Sequence, residues 1–275
     1  MTLHLELLLR ICDILAEEHD SESLKNCALV CSPLAALCQR HLFACVTLLV
    51  KIYSRRANRL WKVLRANPKI GTHIKELRIS FARAHRGIYA NPTIPCILAY
   101  CTSVTSFKLE TLTGDEVGFA GSWPQSLPQV TLEALESIIY SPTLTRLEID
   151  GFSLPSLSIF LSPCSSSLNE LHFLEGSFEK KRPGVNVQGA KGSPIFLRKL
   201  SMPGIPLSSL LEAEREDGSH VVNFSRLQDV SAHFNLERDV KAINTLLFRC
   251  AAPLTSLRVE FTRESLESIP YHSQI

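Results

Sequence analysis

Apolar positions along the chain follow two different periods. Up to residue 45 they recur at helical spacing: Leu8, Ile11, Cys12 and Leu15 stand at i, i+3, i+4 and i+7, with Glu6, Arg10, Asp13 and Glu17 on the opposite side. Asp20 or Ser21 then supplies a capping oxygen, and Leu24, Cys27, Ala28 and Cys31 repeat the spacing. Ser32 and Pro33 read as the N-cap and first residue of a third helix carrying Leu34, Leu37 and Cys38, since proline's missing N–H costs nothing in a first turn. Three short helices are too small a set to bury all their apolar surface without a partner.

Beyond residue 50 the period changes to a recurring apolar-x-x-apolar-x-apolar hexamer. Its copies are Ile74-Leu77-Ile79, Val104-Phe107-Leu109, Leu144-Leu147-Ile149, Leu168-Leu171-Phe173, Leu197-Leu200-Met202, Leu227-Val230-Ala232 and Leu254-Leu257-Val259. They start 30, 40, 24, 29, 30 and 27 residues apart, mostly at or just above the leucine-rich-repeat range. One polar position between the last two apolar ones predicts a half-buried strand in each copy, near 74–80, 104–110, 144–150, 168–174, 197–202, 227–234 and 254–261. Segments of helical character at 59–66, 93–101, 132–140, 154–161, 207–216 and 236–250 return the chain to the next parallel strand. The expected class is α/β: a three-helix module over 1–50, then an irregular leucine-rich-repeat solenoid over 51–275 with a parallel sheet on its concave face. The asparagine that usually follows the hexamer in such repeats is missing, which predicts an uneven arc.

The stretch from Leu3 to Phe43 resembles an F-box, on Leu3, Glu6, Leu7, Leu8, Ile11, Leu15, Leu24, Val30 and Cys31, and its run from Leu37 to Phe43 is similar to fungal members. It departs from that pattern where His4 replaces the usual proline and Leu34 the usual tryptophan. The resemblance implies docking onto the adaptor protein of a cullin-based ubiquitin ligase, through Leu3, Leu7, Leu8, Ile11, Leu15, Leu24, Val30, Cys31 and Leu34. The chain would then be a non-catalytic substrate receptor whose repeat array holds an unknown target protein. The alternative is a leucine-rich-repeat interaction scaffold without ligase docking.

Composition narrows the classes. A net charge of +2 from 29 basic and 27 acidic residues gives no overall footprint for nucleic acid or a membrane surface. His4, Glu6, Arg10 and Asp13 interrupt the first apolar stretch, so it reads as neither signal peptide nor membrane span, and the expected location is cytoplasmic or nuclear. Nine cysteines without a CxxC pair fit a reducing compartment, with Cys27, Cys31, Cys38 and Cys45 read as core packing in preference to a metal set of Cys27, Cys31, Cys38 and His41. Asn223-Phe224-Ser225 matches a glycosylation sequon by chance.

Two insertions break the repeat rhythm, at 114–128 with Trp123 packed beneath it, and at 175–193. In the second, Gly184, Gly189 and Lys191 fall short of a phosphate loop because Ala190 intervenes and no hydroxyl residue follows the lysine. Glu212, Glu214, Glu216 and Asp217 read as a solvated helix end. No catalytic signature appears, and no metal, cofactor or small-molecule substrate is expected. Target binding is assigned to the outward strand positions Arg78, Lys108, Arg146, Glu148, Glu170, His172, Lys199, Asp229 and Arg258, whose mixed charge suits a protein partner.

Overall fold

Each hexamer closes on a strand because its last two apolar residues share one side of the pleat while the polar residue between them faces away. The computed structural model describes residues 5–50, 54–82, 91–112, 121–122, 127–154, 160–174, 176–178, 194–203, 207–211, 213, 219–234, 237–250 and 254–261. Helices α1 (Leu5–Glu17), α2 (Ser21–Ala28) and α3 (Ser32–Leu42) come first, followed by β1 (Cys45–Val50), α4 (Arg55–Ala66), a 3₁₀ turn (Pro68–His73), β2 (Glu76–Ala82), α5 (Thr93–Leu98) and β3 (Ser106–Leu112). Then follow β4 (Gly121–Ser122), α6 (Gln129–Ile139), β5 (Arg146–Asp150), β6 (Phe152–Leu154), β7 (Glu170–Phe173), β8 (Gly176–Phe178), β9 (Ile195–Phe196) and β10 (Lys199–Met202). The chain continues with α7 (Leu207–Leu211), β11 (Val222–Asn223), β12 (Asp229–Phe234), α8 (Glu237–Cys250) and β13 (Ser256–Phe261).

Eight strands form one all-parallel sheet in the order β1-β2-β3-β5-β7-β10-β12-β13, which is chain order. Its register places the middle apolar residue of every hexamer in one row: Val46, Leu77, Phe107, Leu147, Leu171, Leu200, Val230 and Leu257 are successive partners. Inward strand residues and the apolar faces of α4 to α8 share a single core, from Leu48 and Leu64 at one end to Leu246 and Cys250 at the other. Helices pack side by side over it, α4 on α5, α5 on α6 and α7 on α8. The protein is thus a mixed α/β structure built on a parallel sheet. Smaller parallel sheets β4-β6-β8 and β9-β11 flank the large one.

The first strand, Cys45–Val50, lies within the stretch read as helical module, and Val46 pairs with Leu77. Phe43-Val46-Leu48 is in fact an eighth hexamer, whose first residue had been absorbed by the helical pattern. In place of an asparagine ladder, main-chain carbonyls join the layers. The carbonyl of Lys75 accepts from Thr105 N and Ser106 N, that of Thr105 from Thr145 N and Arg146 N, and that of Thr145 from Asn169 N and Glu170 N, with the same pairing at Ala44, Asn169, Arg198 and Gln228. Thr105, Thr145 and Thr255 add hydroxyl donors to the same carbonyls.

Candidate interaction surfaces

In the helical module the apolar residues of α1 divide into two stripes. Cys12 is buried, and Leu8, Leu15 and Ala16 pack beside it against Leu24, Leu34 and Cys38. Leu7, Ile11 and Ile14 form the neighbouring stripe and stay outside, Leu7 55% and Ile11 43% exposed. The apolar arc of α1 is simply wider than α2 and α3 can cover. Leu29 and Val30, in the turn before α3, are also strongly exposed.

The adaptor-binding set read from sequence therefore separates. Leu7, Ile11, Val30 and Cys31 are on the surface, whereas Leu24, 4% exposed, and Leu34, 9% exposed, are core residues, with Leu8 and Leu15 half-buried against them. Leu24 and Leu34 hold the helices together and are not presented to a partner. Leu3 and His4 lie outside the described residues.

Polar ties fix the module. Asp20 caps α2 by accepting from Ser23 N at 2.9 Å, and hydrogen bonding from Ser23 holds its carboxyl below the usual value. His41 Nε2 of α3 stands 3.0 Å from Asp13 Oδ1 of α1. Cys12 Sγ and Cys38 Sγ meet at 3.6 Å, and burial, then the hydrogen bond with Cys12, pushes the Cys38 thiol up to about 12. The cysteine reading needs correction at two positions: Cys31 is the exposed N-cap of α3, displacing Ser32 from that role, and Cys45 is exposed on the outer side of β1.

The second surface is the outer face of the large sheet. All nine positions assigned to target binding lie on it, in two registered rows: Arg78, Lys108, Glu148, His172, Ser201, Ser231 and Arg258, and beside them Glu76, Ser106, Arg146, Glu170, Lys199, Asp229 and Ser256. Five of the nine, with Glu110, form one chain of ion pairs. Lys108 Nζ lies 2.6 Å from Glu148 Oε1 and 3.1 Å from Glu110 Oε2; Arg146 reaches Glu148 at 3.2 Å and Glu170 at 3.8 Å; Lys199 Nζ reaches Glu170 at 3.4 Å. Ser80 Oγ donates to Glu110 and ends the chain on β2. Arg78, His172, Asp229 and Arg258 are not members of it.

Lys108 and the three carboxylates are poorly hydrated, the Glu148 side chain only 14% exposed, whereas Arg146 and Lys199 are nearly half exposed. Partial burial works against each charge, but the hydrogen-bonded partners outweigh it: Lys108 is held above its usual value by Glu148 and Glu110, Glu110 below by Ser80 and Lys108, and Glu148 below by Lys108 and Arg146. His172, between Glu148 and Ser201, is pushed down by burial and by Arg146 and Lys199, against the opposite pull of Glu148 and Glu170. Its Nε2 is 3.9 Å from Glu170 Oε2 and has no hydrogen-bond partner among the described residues.

Mutual neutralisation across strands was not visible in single residues, because it needs the register. The 114–128 insertion with Trp123, the lysine- and glycine-rich part of the 175–193 insertion, and Glu212, Glu214, Glu216 and Asp217 fall outside the described residues, apart from short pieces of the two loops. No helix among the described residues is long and apolar enough to cross a membrane. No family model matches the chain, and neither curated proteins nor solved structures give a match.

Proposed function

We propose that this chain is a non-catalytic substrate receptor of a cullin-based ubiquitin ligase, with an F-box-like module at its start and a leucine-rich-repeat solenoid behind it. The carrying observation is the uncovered stripe Leu7-Ile11-Ile14, with Leu29 and Val30 also exposed, on a three-helix module that has its own core of Cys12, Leu24, Leu34 and Cys38. Apolar surface of this kind is costly to leave in water and fits a protein partner. Eight parallel strands in chain order, with α4 to α8 packed over the same core, support the solenoid reading. The module holds the adaptor, the outer sheet face holds a target protein, and the contribution to transfer is effective concentration.

Self-paired charges refine the target reading. Breaking Lys108–Glu148 to form new pairs would cost about as much as it returns. Recognition at the centre of the face therefore works by shape, and the target's charged contacts go to Arg78, Asp229 and Arg258. The test is co-purification with the adaptor protein, using the unmodified chain and Leu7→Arg/Ile11→Arg. A stable complex lost in the double variant supports the reading. Absence of any complex with the unmodified chain removes ligase docking and leaves the scaffold alternative.

A further inference from the structure

The near-zero net charge hides a strong asymmetry. From Ser23 to Lys75 the chain holds ten lysines and arginines and no aspartate or glutamate, which leaves 19 basic against 27 acidic residues over the rest. Half of the ten are on α4, at Arg55, Arg56, Arg59, Lys62 and Arg65, all exposed, and Lys69 continues the series in the 3₁₀ turn. Arg55, Arg59 and Lys62 stand at i, i+4 and i+7, directly opposite the buried Ala57 and Leu64. Arg56 and Arg65 flank this stripe.

Such an arrangement opposes the helix that carries it. Like charges three and four residues apart destabilise a helix by about 0.2–0.5 kcal/mol per pair, and α4 has Arg55–Arg59, Arg56–Arg59, Arg59–Lys62 and Lys62–Arg65. Arg55 and Arg56 also stand in the first turn, where the helix dipole disfavours cations and where no acidic residue offsets them. Among the described residues none of the five forms an ion pair; Arg65 lies over the Trp61 ring at 5.5 Å. Neighbouring helices of the layer show no such excess: α5 and α7 are uncharged and α6 carries Glu133 and Glu136.

The geometry points to α4 as the docking site for a carboxylate-rich segment of a partner protein. Guanidinium forks match carboxylates in pairs, and an anionic strand laid along the stripe would relieve both the side-chain repulsion and the dipole conflict. Nucleic acid is the poorer fit. Trp61 is packed against the core and covered by Arg65, so no bare ring offers stacking, and Asn58, the helix's lone amide, accepts from Thr93 Oγ1 at 2.8 Å. A bilayer is poorer too, since the apolar side of α4 is packed on the core, with Leu60 and Trp61 partly buried against it and Val63 exposed at its edge. This inference does not depend on the ligase reading, because neither the α1 stripe nor the outer sheet face enters it.

The test measures binding of a labelled octaglutamate peptide to the full chain at several salt concentrations, beside an eight-nucleotide oligothymidine and phosphatidylserine vesicles. Salt-sensitive peptide binding is expected, weakened about tenfold in Arg55→Gln/Arg59→Gln/Lys62→Gln. It is expected unchanged in Arg198→Gln/Lys241→Gln/Arg249→Gln, which removes as much charge elsewhere. Glutamine keeps α4 helical, and an unaltered melting curve verifies that. Absent peptide binding, equal loss in both triple variants, or stronger binding of the oligonucleotide or vesicles overturns the proposal.

Discussion

Lys108 of β3 bridges two carboxylates at once, Glu148 on the next strand at 2.6 Å and Glu110 on its own strand at 3.1 Å. Without its ammonium, two poorly hydrated carboxylates would stand close together, Glu148 left with Arg146 and Glu110 with Ser80. Lys108→Met is expected to destabilise the protein by about 1–2 kcal/mol, the figure for a buried pair reduced because solvent still reaches the side chains. Lys108→Met/Glu148→Gln should recover part of that loss. Denaturant midpoints of the two variants check this, and equal destabilisation of both would show that the pairing does not matter.

His172 ties stability to mild acid. Its folded value lies below the ordinary 6.5, so as pH falls the unfolded chain takes up the proton first. The contribution is therefore fully present above pH 6.5 and declines as pH drops from there through the folded value. The groups around the ring are Glu148 and Arg146 on β5, Glu170 on its own strand and Lys199 on β10. His73, pushed down by burial and by Arg40 and Lys75, acts in the same direction. Denaturation between pH 7 and pH 5 should show a shallower loss in His172→Gln than in the unmodified chain, and an identical slope would exclude the ring from this role.

The repeat was legible because one apolar row decides a strand's facing. With Leu77, Phe107 and Leu147 in one row the sheet can pair in only one register, since a slip of one residue would turn every such side chain to water. Three things were not legible. The eighth strand was hidden because Phe43 also satisfies a helical pattern. The division of α1 into core and exposed stripes depends on where α2 and α3 sit, so Ile11 and Leu8 look equivalent in sequence. Ion pairing between strands joins residues 24 to 40 apart, which only the folded register brings together. The basic run around α4 was readable from the start, and a chain-wide net charge concealed it.

Gly151 is required by the turn between β5 and β6. Its φ is +76°, and a Cβ there would collide with Thr111 Oγ1, which donates to the Gly151 carbonyl at 3.1 Å. Gly151→Ala combines a left-handed backbone penalty with a steric clash and should cost about 2–4 kcal/mol. Thr111→Ala in the same chain removes the clash but not the backbone penalty, so thermal melts of single and double variants separate the two. No difference between them would assign the whole cost to the backbone.

The module's core and the open stripe of α1 make opposite demands on stability and binding. Leu24 closes the module's core with Cys12, Leu34 and Cys38, so Leu24→Ala leaves a cavity and should cost about 2–4 kcal/mol. Ile11 is 43% exposed, and Ile11→Ser should change stability by no more than about 0.5 kcal/mol. Hydrogen exchange is the measurement of choice, because the module's amides report separately from the large sheet. In Leu24→Ala, protection should fall across α1 to α3 while β3, β5 and β7 keep theirs; in Ile11→Ser, all should stay protected. Adaptor binding then discriminates: if Ile11 faces a partner, Ile11→Ser weakens the complex although the fold is intact. Loss of protection in Ile11→Ser would instead show that this side chain belongs to the module's core.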